Sequence, residues 1–130
     1  MMVHRKLSIA IAGVAVLAAT AGFTGHGPHW QLSETGVTER FRGLAPVSSK
    51  VAWVAGTAGT ILRTVDGGRS WASVGPADAT ALQFRDIEAF DARTAVALTI
   101  GNGTDSRVYR TSDGGRSWRS AFVNQDANAF

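Results

Sequence analysis

Arg63-Thr64-Val65-Asp66-Gly67-Gly68-Arg69-Ser70-Trp71 returns 47 residues later as Arg110-Thr111-Ser112-Asp113-Gly114-Gly115-Arg116-Ser117-Trp118, differing at Val65/Ser112. Self-similarity at that spacing reads as a repeat architecture, in which one supersecondary unit buries its apolar face against the next. Each copy follows a run rich in β-formers, residues 60–64 and 107–111. Asp-Gly-Gly then carries the chemistry of a hairpin turn. A short carboxylate accepts backbone N–H groups two residues on, and Gly takes positive φ without steric cost. The Trp that closes each copy brings a ring that buries roughly 150–250 Å².

The alignment extends outward from these stretches. Phe41-Arg42-Gly43-Leu44-Ala45 matches Phe84-Arg85-Asp86-Ile87-Glu88 at an offset of 43 residues, and Val51–Ala55 matches Thr94–Leu98 at the same offset. The second unit therefore gains four residues, which fall in the turn-forming stretch 100–106 with its Gly101-Asn102-Gly103. Two units of four antiparallel strands follow. The first places strands at 41–46, 51–55, 60–64 and 70–74; the second at 84–89, 94–99, 107–111 and 117–122. No helical periodicity of useful length interrupts them. The fold class expected is all-β.

The N-terminus reads differently. Residues 1–6 carry Arg5 and Lys6, residues 7–21 are apolar and Ala-rich, and Ala19-Thr20-Ala21 is a small-residue cleavage signal. That is a secretory leader over 1–21, with Gly22 as the mature start and an exported product. Retained uncut, the same stretch is the chain's one expected contact with a membrane. Residues 22–29 form a Gly/His/Pro linker, and His26 and His29 lack the further ligands a metal site needs. The formal charge is +3; without Arg5 and Lys6 it falls to 11 Lys and Arg against 10 Asp and Glu. No basic run exists, so nucleic acid is not an expected partner. With no Cys there is no disulfide framework or thiolate site.

The pattern Thr-x-Asp-Gly-Gly-x-Ser-Trp resembles the Asp-box, or BNR, repeat of sialidase-like β-propellers. The box residues are Thr64, Asp66, Gly68, Ser70 and Trp71, then Thr111, Asp113, Gly115, Ser117 and Trp118. The resemblance implies that both boxes lie on peripheral turns and are structural. Together with the leader, the Phe-Arg strand starts make the chain most similar to exported propellers of the photosystem II stability/assembly-factor-like group. That group implies a seven-bladed propeller that acts as a binding or assembly platform for a protein or glycan ligand, without cofactor. Residues 41–83 are then blade one, 84–123 blade two and 124–130 the start of a third. Trp30 precedes Phe41 by 11 residues, much as Trp71 precedes Phe84 by 13. Residues 30–40 thus read as the closing strand of a last blade, and the chain as the N-terminal piece of a longer protein.

The rival reading is a sialidase-like glycoside hydrolase, since Phe41-Arg42 resembles the Phe-Arg segment whose Arg binds a substrate carboxylate. Against it, Phe84-Arg85 repeats the pair, and the single Tyr, Tyr109, stands beside a box. No residue is assigned a catalytic role. Arg42, Arg85, Asp86 and Glu88 are the expected channel-facing ligand contacts, because first strands of blades lie nearest the axis. Asp86 and Glu88, two apart on a strand, sit roughly 7 Å from each other on one face.

Overall fold

The computed structural model describes Gly27 and residues 30–128. The leader, the linker apart from Gly27, and Phe130 lie outside the described residues. The chain divides into a leading unit, Met1–Trp30, and a second unit, Gln31–Phe130, that carries the strands.

The architecture is all-β, in two four-stranded antiparallel sheets ordered β1-β2-β3-β4 and β5-β6-β7-β8. The first holds β1 (Phe41–Pro46), β2 (Ala52–Gly56), β3 (Ile61–Thr64) and β4 (Ala72–Ser73). The second holds β5 (Phe84–Ala89), β6 (Ala95–Thr99), β7 (Arg107–Thr111) and β8 (Arg119–Val123). Three expected strands agree with these bounds and five shift. The fourth strands change most, because Ser70 and Ser117 bond within their turns, Trp71 to Ser33 ahead of β1 and Trp118 to the end of the first sheet, instead of joining a ladder. β4 keeps two pairs, Leu62↔Ser73 and Arg63↔Ala72. Single 3-10 turns, Ala77–Ala79 and Gly103–Asp105, punctuate the connections. The second lies inside the four-residue insertion, where Thr99 Oγ1 donates to the Asp105 carbonyl at 2.6 Å and Ser106 Oγ to Gly101 at 2.6 Å.

The core lies between the sheets. Strand alternation turns Trp53 and Ala55 of β2, with Ile61, toward Phe84, Ile87, Ala95, Ala97 and Tyr109 of the second sheet, and all are buried. Phe84 and Ile87 are three residues apart, so strict alternation would put them on opposite faces. A bulge resolves this: the β5–β6 register jumps between Phe84 and Asp86, leaving Arg85 as the extra residue. The same jump occurs in the first sheet between Phe41 and Gly43, with Arg42 as the extra residue. β1 and β5 approach closely at Gly43, where an added Cβ would fall 2.8 Å from the Ile87 backbone nitrogen. A side chain there would force the sheets apart.

Trp71 and Trp118 are half-buried, while Trp53, which has no Trp counterpart in the second sheet, has an exposure of 0%. The aromatic that the core closes around is therefore Trp53. Trp53→Ala should cost about 3–5 kcal/mol in urea unfolding, the range for deleting a fully buried aromatic, and Trp71→Ala clearly less. Equal losses would contradict this placement of the core.

Candidate functional site

The two boxes fold alike. Thr64 Oγ1 donates to Asp66 Oδ1 at 2.8 Å and accepts the Gly68 N–H at 2.9 Å. Asp66 in turn accepts the Ser70 N–H at 3.0 Å on Oδ1 and the Ser70 hydroxyl at 2.6 Å on Oδ2. In the second box Thr111, Asp113, Gly115 and Ser117 repeat the set at 2.9, 3.0, 3.0 and 2.6 Å. Gly67, Gly68, Gly114 and Gly115 have φ of 77°, 84°, 81° and 82°, which L side chains rarely adopt. Here the two consecutive glycines are a requirement of the turn.

These bonds set the electrostatics. The Ser70 hydroxyl, then the Ser70 N–H and the Thr64 hydroxyl, lower the Asp66 carboxyl from 3.8 to about 2. The Ser117 hydroxyl and N–H lower Asp113 further in the same direction. A carboxylate held this firmly ionised is a poor proton donor or acceptor near neutral pH. Its lone pairs are engaged inside its own turn.

The box Trp reaches out of its sheet. Trp118 Nε1 donates to the Val74 carbonyl at 2.6 Å and meets Trp53 edge-on, ring centres 6.4 Å apart at 85°. Trp53 Nε1 donates to the Asp91 carbonyl at 3.1 Å, and Arg63 lies over its ring at 5.5 Å while donating to the Ala92 carbonyl at 2.7 Å. Asp91 caps its own turn, accepting the N–H groups of Arg93 at 2.6 Å and Thr94 at 2.7 Å. Sequence reasoning passed over Trp53, Arg63 and Asp91. The usable signal was Asp91 followed by the Arg93 and Thr94 donors, an Asx turn between two strands.

The four candidate ligand contacts are exposed. Arg42 and Arg85 occupy the bulges, which re-aim their side chains. Asp86 and Glu88 flank buried Ile87, so they share the face of the second sheet turned away from the first. Their counterparts Gly43 and Ala45 occupy the face by which the first sheet packs on the second. Asp86 Oδ1 accepts the Ile87 N–H at 2.9 Å, a local bond that leaves the carboxylate committed to its own strand. On the same side of the sheet a groove of about 570 Å³ runs between Arg85, Leu98, Ile100 and Phe122. Leu98, Ile100 and Phe122 are 40%, 36% and 58% exposed.

Tyr109 is buried against Phe84, ring centres 5.9 Å apart, and its hydroxyl donates to Asp78 Oδ2 at 3.2 Å. Arg107 adds a bond to that hydroxyl at 3.2 Å and lies 3.8 Å from Asp78. Burial pushes the phenol up from its ordinary value, the reverse of what an activated nucleophile needs. Among the described residues no three of His, Cys, Asp and Glu are placed to hold a metal ion. Nor is any helix among them long and apolar enough to cross a membrane.

A family model described as photosynthesis system II assembly factor YCF48 matches residues 18–129. Among solved structures, "YCF48 bound to D1 peptide" superposes with a TM-score of 0.57 at 19% identity, over 69% of this chain and 28% of that one. "YCF48 from Cyanidioschyzon merolae" gives 0.51 at 20% identity, over 66% and 27%. The chain thus spans little more than a quarter of these propellers. No curated protein matches it.

The lowered box carboxylates link stability to pH. The Asp66 contribution is fully present above the ordinary value of 3.8 and is lost as pH falls through its folded value of about 2, and that of Asp113 persists to still lower pH. The urea midpoint should therefore drop between those limits. In an Asp66→Asn, Asp113→Asn variant the midpoint should already be low at neutral pH and flatter across that window. An unchanged acid slope in the variant would show that other groups carry it.

Proposed function

Because the chain belongs to the photosynthesis system II assembly factor YCF48 family, we propose that it contributes to a non-catalytic propeller that binds a segment of another protein. What supports the reading is the engagement of the conspicuous polar groups. Asp66, Asp113, Thr64 and Thr111 bond within their own turns, and Tyr109 is buried and paired. A site for bond-breaking chemistry needs a nucleophile or base free to meet substrate. The repeated motif supplies turns and sheet contacts instead. The solved relative bound to a D1 peptide makes a segment of another protein the natural ligand class. Export and removal of residues 1–21 belong to the same proposal. The glycosidase reading has Arg42 as its anchor, yet Arg42 and Arg85 take the same bulge position in successive sheets.

The experiment is a direct comparison on the secreted chain. Fluorescence anisotropy should record saturable binding of a labelled D1 peptide. A 4-methylumbelliferyl sialoside should be left intact, and N-terminal sequencing should start at Gly22. Sialoside turnover that Arg42→Ala abolishes would replace this reading with the hydrolase, and absence of peptide binding would remove its ligand class.

A further inference from the structure

The sequence places an acidic or amide side chain directly before a glycine at three junctions: Asp66-Gly67, Asn102-Gly103 and Asp113-Gly114. Such a junction is intrinsically reactive. A glycine leaves its own nitrogen unshielded beside the preceding side-chain carbonyl, and attack there closes a five-membered imide. The reaction needs a side chain whose leaving group can depart and a glycine N–H that is free.

In both boxes these conditions fail. Gly67 donates its N–H to the Lys50 carbonyl at 2.9 Å, and Gly114 to the Arg93 carbonyl at 2.8 Å. Each box carboxylate accepts a Ser N–H and a Ser hydroxyl. Ring closure from Asp expels water and so uses the protonated acid, the form that these bonds disfavour.

Asn102-Gly103 lies in the turn by which the second unit is longer, and it is built differently. Asn102 is exposed, and among the described residues neither its side chain nor the Gly103 N–H makes a hydrogen bond. Glycine is required here, since φ is 53° and an added Cβ would stand 3.3 Å from Ala127 Cα. The loop thus demands at position 103 the residue that leaves its neighbour open to attack. The extended backbone of Asn102, with ψ of 136°, holds the amide carbon off the nitrogen until the intervening peptide plane turns. One hydrogen bond opposes that rotation, from the Asp105 N–H to the Asn102 carbonyl, and at 3.2 Å it is long.

We propose that Asn102 is a site of spontaneous deamidation, through an imide formed with the Gly103 nitrogen. Hydroxide takes the Gly103 amide proton, and the nitrogen attacks the side-chain carbonyl carbon of Asn102. The bond to the side-chain nitrogen breaks, and that nitrogen leaves as ammonia with a proton from water. A second water opens the ring at either carbonyl, giving aspartate or isoaspartate. Isoaspartate routes the main chain through the former side chain, so the carbonyl that serves Asp105 leaves the backbone. Thr99 and Ser106 hold the base of the loop through the Asp105 and Gly101 carbonyls, which confines the change to the loop. Either product puts a new carboxylate into the loop whose ends, Ile100, Ser106 and Arg107, border the exposed groove beside Arg85.

The test is peptide mapping of the whole chain after incubation at mildly alkaline pH. Trypsin releases residues 94–107 with Asn102 as the single Asn, and residues 64–69 and 111–116 with one box Asp each. By the time most of 94–107 carries the mass of an amide-to-acid change and isoaspartate, both box peptides should still hold ordinary aspartate. Conversion should quicken as pH rises, and Asn102→Gln should abolish it. The same three peptides, released first and incubated free, show what the fold contributes. Free 64–69 and 111–116 should form isoaspartate, which their turns prevent in the folded chain. An Asn102 that keeps its amide in the folded chain while free 94–107 converts would overturn the proposal. So would a mass gain that persists in Asn102→Gln, or isoaspartate appearing in the folded boxes as fast as at Asn102.

Discussion

The enclosure of Trp53 between the two sheets is the contact on which the rest depends. Its ring is wholly removed from solvent, its N–H reaches the Asp91 carbonyl, its edge meets Trp118, and Arg63 covers it. A buried indole without a partner would carry the desolvation cost of an orphaned donor. The Asp91 turn must therefore lie where it does, and that turn is fixed by its own carboxylate. Arg63 explains a further glycine. Its guanidinium occupies the place a Gly114 Cβ would need, 2.0 Å from that position. One Arg Nε is left buried without a hydrogen bond. The cation over the indole face, typically worth about 0.5–2 kcal/mol, offsets part of that cost.

The box is best understood as the device that delivers Trp118 to this contact. Thr, Asp and Ser close the turn, two glycines accept its positive φ, and the Trp leaves the ladder to pack on the sheet before it. The same four hydrogen bonds and the same pair of positive-φ glycines close both turns. Within the boxes the carboxylates of Asp66 and Asp113 are engaged by their own turns, and the Tyr109 hydroxyl is paired with Asp78 and Arg107. Arg42 and Arg85 stand on bulges, and Asp86 and Glu88 stand on the face turned away from the first sheet, whereas their counterparts Gly43 and Ala45 are buried where the first sheet meets the second.

Much of this was legible in the residues. The boxes, the order of the strands and the site of the insertion follow from local signals: β-rich runs, Asp-Gly-Gly turns and a change of offset. What was not legible depends on contacts between sheets. Trp53 reads as an ordinary strand aromatic, and its counterpart Val96 gives no hint of a core. The bulges at Arg42 and Arg85 are invisible to an alternation rule, yet they decide that Phe84 and Ile87 both face inward. The expected fourth strands overran because Trp71 and Trp118 are β-formers by type but plugs by position. Asp86 and Glu88 do share a face, as strand geometry requires. Which direction that face points is set by packing, and it points away from the first sheet.

The central claim is that the two sheets form one cooperative body locked at Trp53. Hydrogen exchange of the Trp53 indole N–H, compared with the β2 and β6 backbone amides, tests it most directly. If the sheets part only on global unfolding, the indole proton should exchange as slowly as the most protected of those amides. Exchange of the indole well ahead of the strand amides would mean that the sheets undock while each remains folded, and the account would fail at its foundation.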